Sequence, residues 1–356
     1  MKKRLGIVYS DRYREHLLSE PAEDLPERIE SIERALWRNE LMQSLPILEP
    51  RAATKYDLSR VHDKGYIESI ESQSQAAMAT NSLVQIYYDT FIDGTTFEIA
   101  SLSAGAGLTA VDCLVQRKFR NVFVIARPPG HHATPTRGMG YCYFNNAGIA
   151  ARYAQEVYGL KKVVIVDWDV HHGNGTQEVF ADDPSVLFFS IHEYPLFPED
   201  SGWYTDNGCG EGKGFNINIP LPVGTGDSGY LKLWDEIIMP VTDEFEPDLV
   251  ILSAGFDAHT LDPLGHQLVS NNGYAHLTER ILRMTGEIGL LGFLEGGYSL
   301  EALSSSVVTC LNVIGNSEAE LNGKLTENRS DSVLEQRLED LKRFHGHYWK
   351  SLRHSP

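Results

Sequence analysis

The sequence predicts an α/β protein built around a parallel sheet with helices on both faces. Short apolar runs rich in β-branched residues alternate along the chain with longer segments of helical periodicity. The apolar runs are continuous, as is typical of strands that are buried on both faces of a sheet. Of the 356 residues, 42% are hydrophobic and 22% are charged, as in ordinary globular chains. Because the sequence contains no linker and no repeat, we expect a single domain over residues 1–356.

The same pattern predicts the individual elements in order. The predicted strands are 5–9, 122–126, 163–167, 186–191, 249–253 and 290–294. The predicted helices are 26–39, 96–116, 145–157, 228–245, 273–288 and 300–313. Apolar residues at helical spacing over 333–344 indicate a C-terminal helix that packs on the body of the protein. Residues 75–86 fit either a surface loop or a wall that contacts a partner subunit.

Charge and cysteine content argue against several classes of protein. The chain has 31 Lys and Arg against 49 Asp and Glu, a net charge of −18, whereas nucleic-acid binding needs a basic face. No secretory leader is evident, and no run of about 18 apolar residues could span a membrane. The cysteines are too far apart to predict a disulfide framework or a cysteine zinc site; they are Cys113, Cys142, Cys209 and Cys310. We therefore expect a cytoplasmic protein without nucleic-acid or membrane partners.

Five predicted strands end in polar or glycine-rich segments, and ligand sites form at this edge of open α/β sheets. In the densest segment, Asp169 and His171 lie two residues apart, so their side chains point the same way in extended chain. Asp257 follows another strand. One nitrogen and two oxygens leave a metal an open coordination position, as catalytic sites require. For an Asp-x-His pair alone, an N-capping Asp beside a hydrogen-bonded His is commoner than a metal site. The density of polar groups in this segment favours instead a metal or a hydrogen-bond network.

Three further features provide candidate catalytic groups. His131 and His132 follow the irregular turn 127–130, which would let neighbouring imidazoles share one site as base and electrostatic partner; the alternative is two unrelated loop histidines. Tyr298 follows two glycines, and its hydroxyl can donate to an oxyanion, or its ring can pack as a helix staple. Aromatic residues within 138–143 either line a narrow slot or pack their own loop.

Five segments resemble, in order, the signature motifs of the histone deacetylase superfamily, which includes bacterial amidohydrolases and acetylpolyamine amidohydrolases. They are Arg-Pro-Pro-Gly-His-His-Ala at 127–133, Gly-Tyr-Cys-Tyr-Phe-Asn-Asn at 140–146, Asp-Trp-Asp-Val-His-His-Gly-Asn-Gly at 167–175, Ser-Ala-Gly-Phe-Asp at 253–257 and Glu-Gly-Gly-Tyr at 295–298. Weaker matches at 26–28, with an arginine expected near an internal product channel, and at 62–66 extend the resemblance over nearly the whole chain. The resemblance implies the arginase/deacetylase fold, with an eight-stranded parallel sheet and helices on both faces.

The resemblance also implies a role for each candidate catalytic residue. His132, with Asn174 as its partner, would be the general base that takes a proton from the attacking water and returns it to the leaving amine. His131, paired with Asp167, would be its electrostatic partner. Tyr298 would hydrogen-bond the amide carbonyl and the oxyanion that forms from it.

Metal ions and a substrate tunnel are implied in the same way. The zinc ligands would be Asp169, His171 and Asp257, although this donor set also admits iron(II). A structural potassium ion would be held largely by backbone oxygens; the matching residues are Asp167, Asp169, His171, Ser190 and Ile191. The tunnel for the acyl-lysine stem would be lined by Gly140, Tyr141, Phe197 and Leu264.

Two positions narrow the expected subgroup. Asn174 stands where class I enzymes carry Asp, so His132 should be less basic, as in the class II branch. Leu264 stands where polyamine-selective relatives can carry an acidic gatekeeper, which favours other substrates. Glu199 and Asp200 either supply charge at the entrance or are solvated loop residues.

The resemblance thus predicts a metal-dependent deacetylase, a hydrolase that acts on acetylated lysine in proteins or peptides. The first alternative is an acetylpolyamine amidohydrolase, which would apply the same chemistry to a small acetylated amine. A non-catalytic scaffold that binds acyl-lysine is a second alternative, but this chain retains every ligand and catalytic group. A two-metal ureohydrolase would need further paired Asp and His ligands, which we do not find in the sequence.

Overall fold

A parallel sheet of eight strands forms the centre of the protein, as expected from the sequence. The computed structural model describes residues 3–16, 23–316 and 323–353. The strands are β1 (Lys3–Tyr9), β2 (Ile47–Leu48), β3 (Val84–Tyr87), β4 (Thr90–Ile92), β5 (Phe119–Ile125), β6 (Val163–Asp167), β7 (Val186–Glu193), β8 (Asn216–Leu221), β9 (Leu249–Ala254) and β10 (Leu290–Leu294). The spatial order in the large sheet is β2-β1-β5-β10-β9-β6-β7-β8, and β3 pairs with β4 in a separate hairpin.

The topology places four carboxyl ends side by side. All neighbouring pairs in the large sheet are parallel. The central strands β5, β10, β9 and β6 therefore all end at the same edge. Asp167 at the end of β6 is in register with Ser190 of β7 and Ser253 of β9, so polar positions of three strands are aligned there. A ligand site at this edge can draw on loops that are distant in sequence.

Helices pack in two groups against the sheet. α1, α10 and α11 pack together, and α5 packs separately with α6. The helices are α1 (Glu27–Arg38), α2 (Leu41–Ser44), α3 (Lys55–Leu58), α4 (Lys64–Thr80), α5 (Thr96–Val115), α6 (Asn146–Tyr158), α7 (Asn174–Phe180), α8 (Asp227–Leu233), α9 (Met239–Phe245), α10 (Asn271–Met284), α11 (Leu300–Gly315) and α12 (Asp331–His345). Helix α5 is long and apolar enough to cross a membrane, but 78% of its most apolar window is buried inside the fold.

The structure differs from the predicted elements in instructive places. Strand β8 was not predicted, because its buried positions alternate Asn216 and Asn218 with isoleucines. The side-chain NH2 groups of both asparagines donate to Gln177 Oε1, at 2.8 and 2.7 Å. The predicted helix 228–245 is two helices, α8 and α9, joined by one π turn at Trp234–Ile238.

Two further predicted segments can be compared with the structure. Residues 75–80 belong to helix α4 and residues 84–86 to strand β3, so most of 75–86 is regular structure rather than a loop. The C-terminal helix is confirmed as α12, and its residues Leu334, Leu338 and Leu341 are buried. Helix α12 packs on β8 and thereby covers one edge of the sheet.

Buried His62 connects the loops beneath the carboxyl edge. Its Nδ1 donates to the carbonyl oxygen of Thr134 at 3.0 Å, and its Nε2 accepts from the backbone N–H of Asn145 at 2.9 Å. Asn145 is the N-cap of α6 and accepts from the N–H of Gly148 at 2.8 Å. Burial lowers the pKa of His62 to about 4, so the folded protein holds this imidazole neutral.

We expect His62 to make the metal-free protein less stable by about 3 kcal/mol as the pH falls from 6.5 to 4. Its pKa in the folded state lies below the unfolded value, so its contribution is present above pH 6.5 and is lost on acidification. Urea unfolding of the wild type and His62→Gln should show the difference in their unfolding free energies changing by that amount. His347→Gln, which removes an exposed histidine, is the control; the same pH slope in all three proteins would contradict the prediction.

Candidate active site

The structure brings the three predicted metal ligands together at the carboxyl edge. Asp169 and His171 follow β6, and Asp257 follows β9. One ligand atom from each residue lies within 4.8 Å of the other two. His171 Nδ1 is 3.1 Å from Asp169 Oδ1 and 3.1 Å from Asp257 Oδ2. All three side chains are buried.

Backbone N–H groups hold both carboxylates of this cluster in place. Asp169 accepts from the N–H of His171 at 2.9 Å and from that of Gly296 at 2.8 Å. Asp257 Oδ1 accepts from the N–H of Val170 at 2.8 Å. A Cβ at position 296 would lie 2.1 Å from Asp257 Oδ2 and 2.6 Å from Asp169 Oδ2. Only glycine fits there without displacing a ligand.

The chemistry of this cluster fits a divalent metal ion. Burial, together with the negative charge of Asp169, raises the pKa of Asp257 to about 7. Two ionised carboxylates at Asp169 and Asp257 are therefore unfavourable in the protein interior, and a bound cation would neutralise their charge. Two carboxylate oxygens and one imidazole nitrogen are ligands that zinc and iron(II) both accept. Three protein ligands leave a coordination position for substrate or water.

His131 and His132 are adjacent but are held by different partners. Their ring centroids are 3.9 Å apart. His131 Nδ1 lies 2.9 Å from Asp167 Oδ2, whereas His132 Nδ1 lies 2.8 Å from Asn174 Oδ1. The four residues therefore form the two pairs that the resemblance implies.

These partners drive the two imidazoles to opposite charge states. Burial alone would lower the pKa of His131, but the carboxylates of Asp169 and Asp167 raise it to about 10. Burial, with His131 and His171 adding positive charge nearby, lowers the pKa of His132 well below its usual range. In the metal-free protein, His131 is thus protonated and His132 is neutral at neutral pH. Separated pKa values of this kind are typical of acid–base sites.

Tyr298 and Arg28 meet after strand β10. Arg28 Nε donates to the carbonyl oxygen of Gly297 at 2.7 Å, and a second guanidinium nitrogen donates to that of Glu295. The guanidinium carbon lies 5.0 Å from the centre of the Tyr298 ring. Burial raises the pKa of Tyr298, so its phenol keeps the proton and can donate it in a hydrogen bond. The predicted oxyanion donor therefore lies beside the weakly predicted arginine.

A cavity of about 410 Å³ joins these groups to the surface. All four predicted tunnel residues line it, together with His132, His171 and Tyr298. Gly140 has a φ of +56°, and a Cβ there would lie 2.2 Å from His132 Cδ2. Among the described residues, the lining comprises Glu23, Tyr88, Asp89, Phe91, His132, Gly140, Tyr141, His171, Leu196, Phe197, Leu264 and Tyr298.

The residues expected to hold potassium occupy adjoining backbone. Asp167 and Ser190 are register partners in β6 and β7, and Ile191 follows within β7. Asp169 and His171 lie on the loop immediately after β6. This arrangement brings the five positions close together along two neighbouring strands, and the potassium ion itself stays a prediction.

Acidic groups line the cavity mouth at positions that carry no sequence motif. Tyr141 donates its phenol hydrogen to Glu23, and Asp89 Oδ1 accepts from the N–H of Gly140 at 3.1 Å. Glu199 and Asp200, the acidic residues considered from the sequence, are exposed and outside this lining. Among the described residues, the acids that line the cavity are therefore Glu23 and Asp89.

Glu295 is a further site residue whose role the sequence did not indicate. Its Oε2 accepts from the N–H groups of Gly130 and His131, at 2.7 and 3.2 Å. Burial raises the pKa of this carboxyl group to about 7. His131, Cys142 and Glu295 also form a second buried group of potential ligands. In that group, His131 Nδ1 is already paired with Asp167, and Glu295 accepts from the backbone of the histidine loop. The second group therefore supports the two histidines beside the Asp169, His171 and Asp257 cluster.

Comparison with known proteins identifies the family. The family model described as histone deacetylase domain matches residues 23–314. The chain belongs to the histone deacetylase family. A protein of Archaeoglobus fulgidus named a probable deacetylase is 36% identical, and the alignment covers 97% of this chain and 98% of that protein. A polyamine deacetylase of Danio rerio is 37% identical over 93% of this chain but only 50% of its own length.

A solved structure of the family agrees with the fold. The crystal structure of the HDA15 HD domain superposes with a TM-score of 0.88 and 31% identity, covering 98% of this chain and 96% of that one. The predicted fold class is thereby confirmed, as is the predicted enzyme class. This member of the histone deacetylase family is a hydrolytic deacetylase.

We predict that Gly296→Ala weakens metal binding at least about tenfold. The added Cβ would collide with ligand oxygens of Asp257 and Asp169. Titrating Zn²⁺ into the metal-free protein against a chromophoric chelator measures the affinity. Gly65→Ala in α4, where nothing lies within 4 Å of the new Cβ, is the matched control. Equal affinities in the two variants would refute the prediction.

Proposed function

We propose that this deacetylase is a zinc-dependent amidohydrolase that removes acetyl groups from N-acetyl-lysine in proteins or peptides. The observation that supports this best is the convergence on one cavity of three kinds of group. They are the buried ligand cluster around His171, the neutral base His132 and the protonated phenol of Tyr298. Together they match the needs of amide hydrolysis, namely an activated water, a proton carrier and an oxyanion donor.

Asp169, His171 and Asp257 would hold the zinc ion. Zinc bound there would supply a Lewis acid that polarises the amide carbonyl and acidifies the attacking water. Iron(II) is the alternative for the same ligands. A structural potassium ion would bind the backbone of the strand ends between Asp167 and Ser190, as the family resemblance implies.

The proton transfers fall to the two histidines. With Asn174 Oδ1 accepting from Nδ1, His132 carries its lone pair on Nε2. That nitrogen takes the proton from the attacking water and later delivers it to the amine nitrogen as the C–N bond breaks. His131, kept protonated by Asp167, disfavours early protonation of His132 and stabilises the negative charge that develops.

The cavity walls position the acyl-lysine stem. The ring of Phe197 lies 5.0 Å from that of His132, and the ring of Tyr141 lies 6.0 Å from that of Tyr298. These aromatic side chains would pack against the aliphatic stem and exclude water. The phenol of Tyr298 would then donate to the carbonyl oxygen as it gains negative charge. Acetate and the free amine are the products.

A second candidate substrate is an acetylated polyamine. Glu23 and Asp89 line the cavity and would attract the ammonium groups of such a molecule. Relatives from Danio rerio and Homo sapiens are named polyamine deacetylases. Leu264, which also lines the cavity, adds no charge, so Glu23 and Asp89 alone would supply the selectivity.

We also propose that the whole chain acts as one catalytic domain in the cytoplasm. The eight main strands belong to one continuous sheet, which supports a single domain. The four cysteines are free thiols, as is usual in a reducing compartment.

Removing the metal should abolish turnover of an acetyl-lysine peptide, and adding Zn²⁺ should restore it. Asp257→Ala should lose both zinc and turnover, whereas Tyr298→Phe should keep zinc and lose about 100-fold in kcat. Acetate release and zinc content measure the two properties separately. A zinc-loaded wild type that binds the peptide without cleaving it would instead support the non-catalytic scaffold. Full activity in Tyr298→Phe would remove the phenol from the mechanism.

Substrate choice is tested by neutralising the cavity mouth. Glu23→Gln should lower kcat/KM for acetylspermidine about fivefold, because it removes an attraction to the cationic chain. Its effect on a neutral acetyl-lysine peptide should be less than about twofold. Glu339→Gln, which neutralises an exposed acid on helix α12 outside the cavity lining, is the matched control. If the wild type does not turn over acetylspermidine, the second candidate is wrong.

A further inference from the structure

Asp262 is a buried carboxylate that contacts the backbone of the active site at three points. Its Oδ2 accepts from the N–H of Tyr298 at 2.6 Å and from that of Ser299 at 3.0 Å. Its Oδ1 accepts from the N–H of Leu264 at 3.1 Å. Only 7% of the residue is exposed. One side chain thus joins the loop after β9 to the segment after β10.

The backbone before Tyr298 needs such an anchor. Gly296 and Gly297 precede it, and Gly297 has a φ of +119°. Because glycine has no Cβ, the backbone at these two positions is more flexible than it would be with any other residue. Ser299 is the N-cap of α11 and accepts from the N–H of Ala302 at 3.5 Å. The Asp262 carboxylate lies ahead of this helix N-terminus, where negative charge is favourable. The carboxylate therefore holds the backbone position from which the Tyr298 side chain extends.

The same segment is held from its other side by Arg28. The guanidinium donates to the carbonyl oxygens of Glu295 and Gly297. Asp262 accepts from the N–H of Tyr298, the next residue. Leu264, the third contact of Asp262, lines the cavity together with Tyr298. The phenol and one cavity wall therefore share a single support.

We propose that Asp262 is a positioning residue that holds the Tyr298 phenol in reach of the substrate carbonyl. This inference rests on the proposed function, in which Tyr298 donates to the oxyanion. Removing the carboxylate frees three N–H groups, two of them on the segment between Gly296 and Ser299, and lets that segment move. A displacement of about 1 Å at the phenol is enough to cost up to about 100-fold in rate.

A double-mutant cycle between positions 262 and 298 tests the proposal on zinc-loaded full-length protein. Asp262→Ala should lower kcat about 10- to 100-fold, with KM within about twofold and zinc content unchanged. Asp262→Asn keeps one acceptor oxygen and should lose less. In the Tyr298→Phe background, Asp262→Ala should cost less than about threefold, because the phenol through which it acts is gone. Equal losses in both backgrounds would overturn the proposal.

Hydrogen exchange supplies a readout that does not depend on turnover. The amides of Tyr298 and Ser299 should exchange faster in Asp262→Ala, as measured by mass spectrometry on peptides that cover 295–303. Unchanged exchange, or faster exchange with normal kcat, would also overturn the positioning role.

A matched control separates positioning from general destabilisation. Asp227 is likewise buried and accepts from the backbone N–H groups of Ser270 and Thr326, at 2.8 and 2.9 Å. Asp227→Ala should lower the melting temperature but leave kcat within about twofold. An equal loss of kcat in Asp227→Ala would show that Asp262 acts through stability alone. A wild type inactive on every acetylated substrate would overturn the proposed function itself, whereas an active wild type with normal Asp262→Ala turnover would overturn only this inference.

Discussion

Burying two carboxylates beside an imidazole is the constraint on which the rest of the site depends. An ionised carboxylate away from water costs several kcal/mol unless charge or hydrogen bonds compensate it. Here the compensation comes from backbone N–H groups, and the backbone must approach the carboxylates closely to provide it. A Cβ at Gly255 would lie 2.1 Å from Asp169 Oδ2, and Gly296 is equally confined beside Asp257. The glycine-rich loops are therefore a consequence of the ligand cluster.

The same buried charge divides the work of the two histidines. In the metal-free protein, the carboxylates of Asp169 and Asp167 keep His131 protonated. The positive charge of His131 then helps to lower the pKa of the adjacent His132. Two identical side chains, with ring centroids 3.9 Å apart, thus acquire opposite charge states. Asn174 is consistent with this division, because an amide oxygen orients His132 without adding the negative charge that would favour its protonation.

The sequence predicted the parts of the structure that local pattern determines. Continuous apolar runs marked six of the eight main strands, and polar residues at strand ends marked the three residues that the structure brings together as a potential ligand cluster. Strand β8 was missed because its buried asparagines interrupt the apolar run, and the residue that accepts from both of their NH2 groups, Gln177, is distant in sequence. Asp89 and Asp262 escaped for a related reason. Their partners are backbone N–H groups 51 and 36 residues away, so neither contact leaves a residue pattern in the chain.

The site therefore has two layers that respond differently to sequence change. The proposed reacting groups are positioned by close backbone contacts at glycines such as Gly255 and Gly296. We therefore expect substitution of these glycines to disturb the chemistry. Glu23 lines the same cavity, and we expect a change of its charge to alter the attraction to substrate and to leave the ligand cluster in place. A protein named only a probable deacetylase and one named a polyamine deacetylase are 36% and 37% identical to this chain. These nearly equal identities assign no substrate to this chain, and we expect the residues at the cavity mouth to determine the choice.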